Sequence, residues 1–165
     1  MPPDPLSPTA RYVPDGITRI YWVPTIADTS APTREELDDA TAVDLTGEIA
    51  DVVGWHISAE RRPIQPVGER FRSELDGSLE VDDARLVLYA DIDGADVTQV
   101  IDVGDDGHVV FLHGGDAEGN PMDVWPVRLA ARNRVIRIGG EPTVLDHQFV
   151  VTRAPAQNVP VPGVS

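Results

Sequence analysis

Apolar and polar positions change their period several times along the chain, and each change marks a segment boundary. Residues 17–23 alternate, with Ile20 and Trp22 on one side and Arg19 and Tyr21 on the other, the period of a half-buried strand. Pro14-Asp15-Gly16 ahead of them is turn chemistry. Residues 48–60 alternate again. Ile49, Val53, Trp55 and Ile57 fall against Gly54, His56, Ser58 and Glu60, which predicts one long strand with a wet face. Residues 86–90 and 109–112 are unbroken apolar runs bounded by Asp and Gly. They are too short for helices and rich in β-branched and aromatic residues, so they read as buried strands. Residues 144–153 predict the last strand, with Leu145, Phe149 and Val151 inward.

Helical spacing is rare. Val97, Val100 and Ile101 fall at i, i+3 and i+4, which predicts one helix of about two turns capped by Asp93 or Asp96. Thr33 with Glu36 three residues later has the spacing of a capping box. Residues 33–40 are therefore either a short helix or a solvated acidic loop. The glycine-rich stretch at 113–120 lies between two strands and reads as a hairpin turn, because no helix N-terminus follows to hold a phosphate. Six to eight strands and one helix predict a mostly-β sandwich or barrel with a flanking short helix.

Three segments fit no period. Residues 1–10 carry prolines at 2, 3, 5 and 8, and residues 155–165 are again proline-rich. Both predict extended arms on either side of a domain at 11–154. Residues 61–77 hold Pro63, Pro66, Gly68 and mixed charges. They predict a long projecting hairpin loop, since structureless connections of that length are usually functional.

Composition sharpens this. The 165 residues suffice for one domain with a conventional core. With no cysteine, disulfides and thiolate metal sites are excluded. All 13 basic residues are arginine, against 28 acids, for a formal charge of −15. That balance argues against nucleic-acid affinity, which needs cations to neutralise phosphates. The opening residues resemble no signal peptide and no apolar run reaches membrane-spanning length, so a soluble protein made in the cytoplasm is expected. Charge is also unevenly placed. Residues 28–51 carry eight acids against Arg34, and residues 76–106 carry ten against Arg85. Residues 124–140 hold Arg128, Arg132, Arg134 and Arg137 with no acid. These are either ordinary solvated faces or a basic strand of one subunit matched to an acidic loop of the next.

Candidate chemistry is sparse. His56, His108, His113 and His147 stand singly, without the i, i+2 or i, i+4 pairing of metal ligands. They read as surface or partly buried side chains. A calcium loop counted from Asp91 would place Ala95 and Asp96 where an oxygen ligand and glycine are needed, and Asp102 at the twelfth position. No nucleophile motif or phosphate loop is present. Neither catalytic residue nor cofactor is assigned.

Three stretches, residues 11–37, 109–129 and 149–162, together resemble the major tail tube protein of long-tailed bacteriophages infecting actinobacteria. YVPDGITRIYWVPTIA is the most distinctive part, and an arginine-only, valine- and proline-rich composition suits a high-GC genome. The resemblance implies a non-enzymatic virion protein assembled in six-membered rings that stack into a tube for genome delivery. It implies self-association, with the tape-measure protein, a tail-tip initiator and a tail terminator as further partners. DNA would pass without specific binding. On that reading His56, Ser58 and Glu60 are lumen-facing candidates. Arg61, Arg62, Glu69, Arg70, Arg72 and Glu74 are candidates for ring stacking, and the four arginines of residues 124–140 for contacts between subunits. The basic, proline-rich run at 60–66 departs from what that family leads one to expect. A monomeric β-sandwich binding module for carbohydrate or a host surface is the alternative, although only 5% of residues are aromatic. An unrecognised hydrolase is the third reading.

Overall fold

The computed structural model describes residues 1–6, 11 and 13–164. Ten strands occur among the described residues, more than the pattern predicts. They are β1 (Arg19–Val23), β2 (Val43–Asp44), β3 (Ile49–Gly54), β4 (Ile57–Ile64), β5 (Ser73–Val81), β6 (Ala84–Tyr89), β7 (Asp106–Leu112), β8 (Pro121–Val135), β9 (Val144–Val151) and β10 (Ala156–Pro160). One helix, α1 (Arg34–Leu37), lies between β1 and β2. Eight strands form one antiparallel sheet in the order β2-β1-β7-β8-β9-β6-β3, with β10 paired to β8. The other two, β4 and β5, form a separate two-stranded sheet.

The large sheet rolls over on itself. Four strand steps separate β7 from β3 in its order, which would be about 19 Å on a flat sheet. Yet Trp55, directly after β3, stacks edge-on against Phe111 of β7 with ring centroids 5.1 Å apart. It also meets Trp125 of β8 at 5.4 Å and Phe149 of β9 at 5.8 Å. The main core fills this fold, with Ile20, Trp22, Leu86, Leu88, Val109, Trp125 and Leu129 among its buried residues. The predicted alternation of β1 therefore holds, since Ile20 and Trp22 point inward.

A second core lies on the outer face of β1, β7 and β8. Val23, Val110, Leu112, Met122 and Val124 are covered there by Ile26, Leu37 of α1, and Val159 and Val161 of the C-terminal tail. Residues 107–112 of β7 are accordingly all buried, the signature of a strand covered on both faces. The C-terminal tail, expected as an extended arm, packs back onto the domain, and its β10 pairs antiparallel with β8 in the register Ala156↔Val124, Val159↔Met122 and Pro160↔Pro121. The strand read as the last, now β9, is thus followed by another. Met1–Leu6 are exposed without secondary structure; the rest of the expected N-terminal arm, residues 7–10, lies outside the described residues.

β8 is the spine of this arrangement. It pairs β7 along one edge, and β10 then β9 along the other. Pro126 sits where that second edge changes partner, and its carbonyl accepts from the Thr152 amide at 2.9 Å. The N–H that proline lacks points into the same changeover, so no ladder bond is lost.

Two predicted elements are corrected. The strand over residues 48–60 breaks at Gly54 and Trp55, both left-handed with φ of 80° and 63°. A Cβ on Gly54 would lie 1.6 Å from the Asp83 carbonyl oxygen, so only glycine fits the corner. Trp55 is held there by its amide on Asp83 O at 2.8 Å and its indole N–H on Arg85 O at 3.0 Å. Burial of that ring outweighs an unfavourable backbone. The predicted two-turn helix shrinks to a 3-10 turn at Val97–Gln99. Asp96 caps it, accepting from the Thr98 amide at 3.0 Å, and Val97 and Ile101 still enter the core.

Candidate assembly surfaces

The chain leaves the sheet at the Gly54–Trp55 corner to build the β4–β5 hairpin. Residues 61–77, expected to be a structureless loop, are mostly ladder: Arg62↔Leu75, Pro63↔Glu74 and Ile64↔Ser73 pair, and only the turn between Ile64 and Ser73 lacks strand. Cross-strand partners share a face, and the register sorts this hairpin into two. Ile57, Ala59 and Ile64 of β4 lie with Leu75, Leu79 and Val81 of β5, a mostly apolar face interrupted by Arg62 opposite Leu75. The opposite face carries Ser58↔Glu80, Arg61↔Asp76 and Pro63↔Glu74. Leu79 is 70% exposed, and Phe71 near the tip 77%. A lone two-stranded ribbon with an uncovered apolar face is marginal in water. Mixed charge in the sequence hid this face, because Leu75 and Leu79 are separated by Asp76, Gly77 and Ser78.

The sequence-predicted residues fall around this hairpin as follows. His56 is exposed at its root, and Ser58 Oγ donates to Glu80 O at 3.5 Å. Glu60 meets Arg62 at 3.3 Å and Ser78 Oγ at 3.1 Å. Arg61 reaches Glu74 at 3.8 Å across the ladder. Glu69, Arg70 and Arg72 are exposed in or beside the turn. His56, Ser58 and Glu60 therefore stand on the corner and hairpin base, not on one continuous strand of the large sheet.

The four arginines of residues 124–140 divide. Arg128 pairs with Asp106 of the neighbouring β7 at 3.1 Å, and Arg132 donates to the Ile101 carbonyl at 2.8 Å. These two serve the fold. Arg137 makes an exposed pair with Glu141 at 3.6 Å, and Arg134 is exposed without an ion pair among the described residues. Arg134 is next to last in β8 and Arg137 lies just past its end, with Ile136 and Ile138 beside them, of which Ile138 is 98% exposed.

Two histidines are corrected from surface or half-buried to buried. His108 Nδ1 lies 3.2 Å from Val23 O, and its Nε2 3.4 Å from Arg153. His147 is fully buried, with Nδ1 at 3.3 Å from Leu145 O and Nε2 unpartnered. Burial pushes both below the ordinary histidine range. What packs above a strand position is not written in its own sequence.

The capping box at α1 forms as its spacing predicts, with Thr33 and Glu36 satisfying each other's amides. Arg34 then bridges to Asp38 and to Asp116 in the β7–β8 turn. Tyr21 donates to the same Asp116 at 3.1 Å; its burial and that acceptor push the phenol up to about 12. The clasp ties α1 over the second core. Among the described residues no three potential metal ligands converge, and no helix is long and apolar enough to cross a membrane.

A model of the phage tail tube protein family matches residues 7–164. The chain belongs to that family. It is a structural protein of the phage tail, mostly β, as the resemblance implied. A likeness to a solved structure accompanies this: the Dit protein of phage SPP1, described as a paradigm of the hub adsorption apparatus in phages infecting Gram-positive bacteria. It is 12% identical with a TM-score of 0.38, over 81% of this chain and 49% of that one, so this chain spans about half its length. No curated protein matches.

Proposed function

We propose that copies of this tail tube protein close into rings, six to a ring, which stack into the tube that carries the genome to an actinobacterial host. The β4–β5 hairpin carries this reading. Its root, Ile57 and Val81, packs against the main core, but Ile64, Leu75 and Leu79 beyond it stay exposed among the described residues, and a neighbouring copy covers them. The open edges of the large sheet at β2 and β3 are the second resource, since unpaired edges associate unless matched or blocked. Pairing them around a ring removes the hazard, and stacking adds head-to-tail contacts that need not close.

The hairpin, with Arg61, Arg62, Glu69, Arg70, Arg72 and Glu74, reaches the adjacent ring. His56, Ser58 and Glu60 at its base face the lumen. A net charge of −15 gives a wall that repels phosphates and lets DNA slide without specific contact. The role is structural and non-enzymatic. The tape-measure protein occupies the growing lumen, an initiator at the tip starts the tube, and a terminator ends it.

Negative-stain imaging of purified full-length protein across a concentration series tests this. Rings or tubes are expected at high concentration. A monomer at every concentration, including with tail-tip proteins added, would overturn it.

A further inference from the structure

The hairpin meets the body in a groove of about 550 Å³ between its apolar face and the end of β9. Ile57, Leu79 and Val81 line one wall, and Phe149 and Val151 the other. Asp82 and Asp83 stand at the groove with Arg153, whereas the register turns the Glu80 side chain to the ribbon's opposite face. Asp83 is engaged by Arg85 at 2.8 Å, whereas Asp82 forms no ion pair among the described residues. The groove is an apolar slot with spare negative charge.

The same chain carries its chemical complement. Residues 134–138 read Arg-Val-Ile-Arg-Ile. Ile136 is 78% exposed, and Arg134 and Arg137 are exposed beside it. An extended segment of isoleucines flanked by arginines suits an apolar slot with an acidic rim. The segment cannot fill the groove of its own molecule. Val135 pairs with Val144 at the start of β9, whereas Phe149 and Val151 lie at its far end. The seven residue steps between are about 23 Å of strand.

We propose that residues 134–138 of one copy dock in the hairpin groove of the next. Ile136 and Ile138 enter the slot, and the neighbouring Arg134 and Arg137 meet its acidic rim at Asp82 and Asp83. Donor and acceptor sit at opposite ends of β9, so the contact is head-to-tail, of the kind that closes a ring or runs on along a stack. This rests on the ring-and-tube reading and names the two surfaces that meet.

The cysteine-free chain makes the test clean, because every disulfide must join introduced positions. Leu79→Cys and Ile138→Cys are made separately in the full chain. Both side chains are largely exposed, so neither change disturbs the core. The variants are mixed under mild oxidation at concentrations where the wild type assembles. A mixed dimer forming at least tenfold faster than either like-with-like dimer is expected, and Arg134→Glu with Arg137→Glu in the Ile138→Cys partner should abolish it. Normal tubes without the mixed dimer would overturn this docking and leave the tube reading standing. Neither cross-link nor assembly in the wild type would overturn both.

Discussion

The β1–β7–β8 region and the β4–β5 hairpin are built from the same secondary structure and live in opposite surroundings. In the first, both sheet faces are covered, and the hydrophobes of β7 are buried without exception. In the second, neither face is fully covered, and Leu75, Leu79 and Phe71 face water. On the assembly proposed above, stability and association are separated in space: the body is ordered by its own core, and the ribbon is completed by a neighbour. Substitutions should sort the same way, with core changes altering unfolding and hairpin changes altering only assembly.

The largest effect is expected at the corner that joins the two regions. Trp55→Ala removes the ring that touches Phe111, Trp125 and Phe149, and should cost about 3–5 kcal/mol in denaturant unfolding. Gly107→Ala comes next. Its Cβ would fall 2.4 Å from the Trp22 ring, a close contact expected to cost about 1–3 kcal/mol. Acid should also weaken the body. His108 and His147 have folded values below the ordinary 6.5. The unfolded chain therefore binds protons first, and stability falls as pH drops through 6.5 toward the folded values. The slope is at most about 1.4 kcal/mol per pH unit for each histidine. His147→Phe should flatten that slope in urea titrations at pH 5 to 7; an unchanged slope would assign it elsewhere. Smallest in stability is Leu79→Asn, within about 0.5 kcal/mol of wild type, while tube formation on grids should be lost. If it instead lowered the monomer's melting temperature substantially, the division between body and ribbon would fail.

Local signals survived the passage from sequence to structure; signals that depend on distant partners did not. The capping box at Thr33 and Glu36 is written within four residues and forms. The alternation of Ile20 and Trp22 holds and the run in β7 is buried throughout, whereas β6, read as a buried strand, buries only alternate residues and leaves Tyr89 exposed. The corner at Gly54 and Trp55 was illegible because alternation continues through it, and a tryptophan at positive φ is dictated by the core that receives its ring. Residues 155–165 concealed β10 because prolines erase the period, although Val159 and Val161 are buried by the fold. Of the four arginines, sequence marked the cluster but could not divide it. The partners of Arg128 and Arg132 come from residues 106 and 101, brought alongside by the ladder and the 3-10 turn.

The position of β8 has a mechanical consequence. Its 15 residues are flanked by β7 on one edge and by β10 and β9 on the other, and ladder bonds run across the strand. A pull along its length would strain many of these bonds at once in shear, whereas a pull across it would open them one after another. A barrel wall whose protomers bear tension along β8 would therefore be stiff to stretching and softer to peeling.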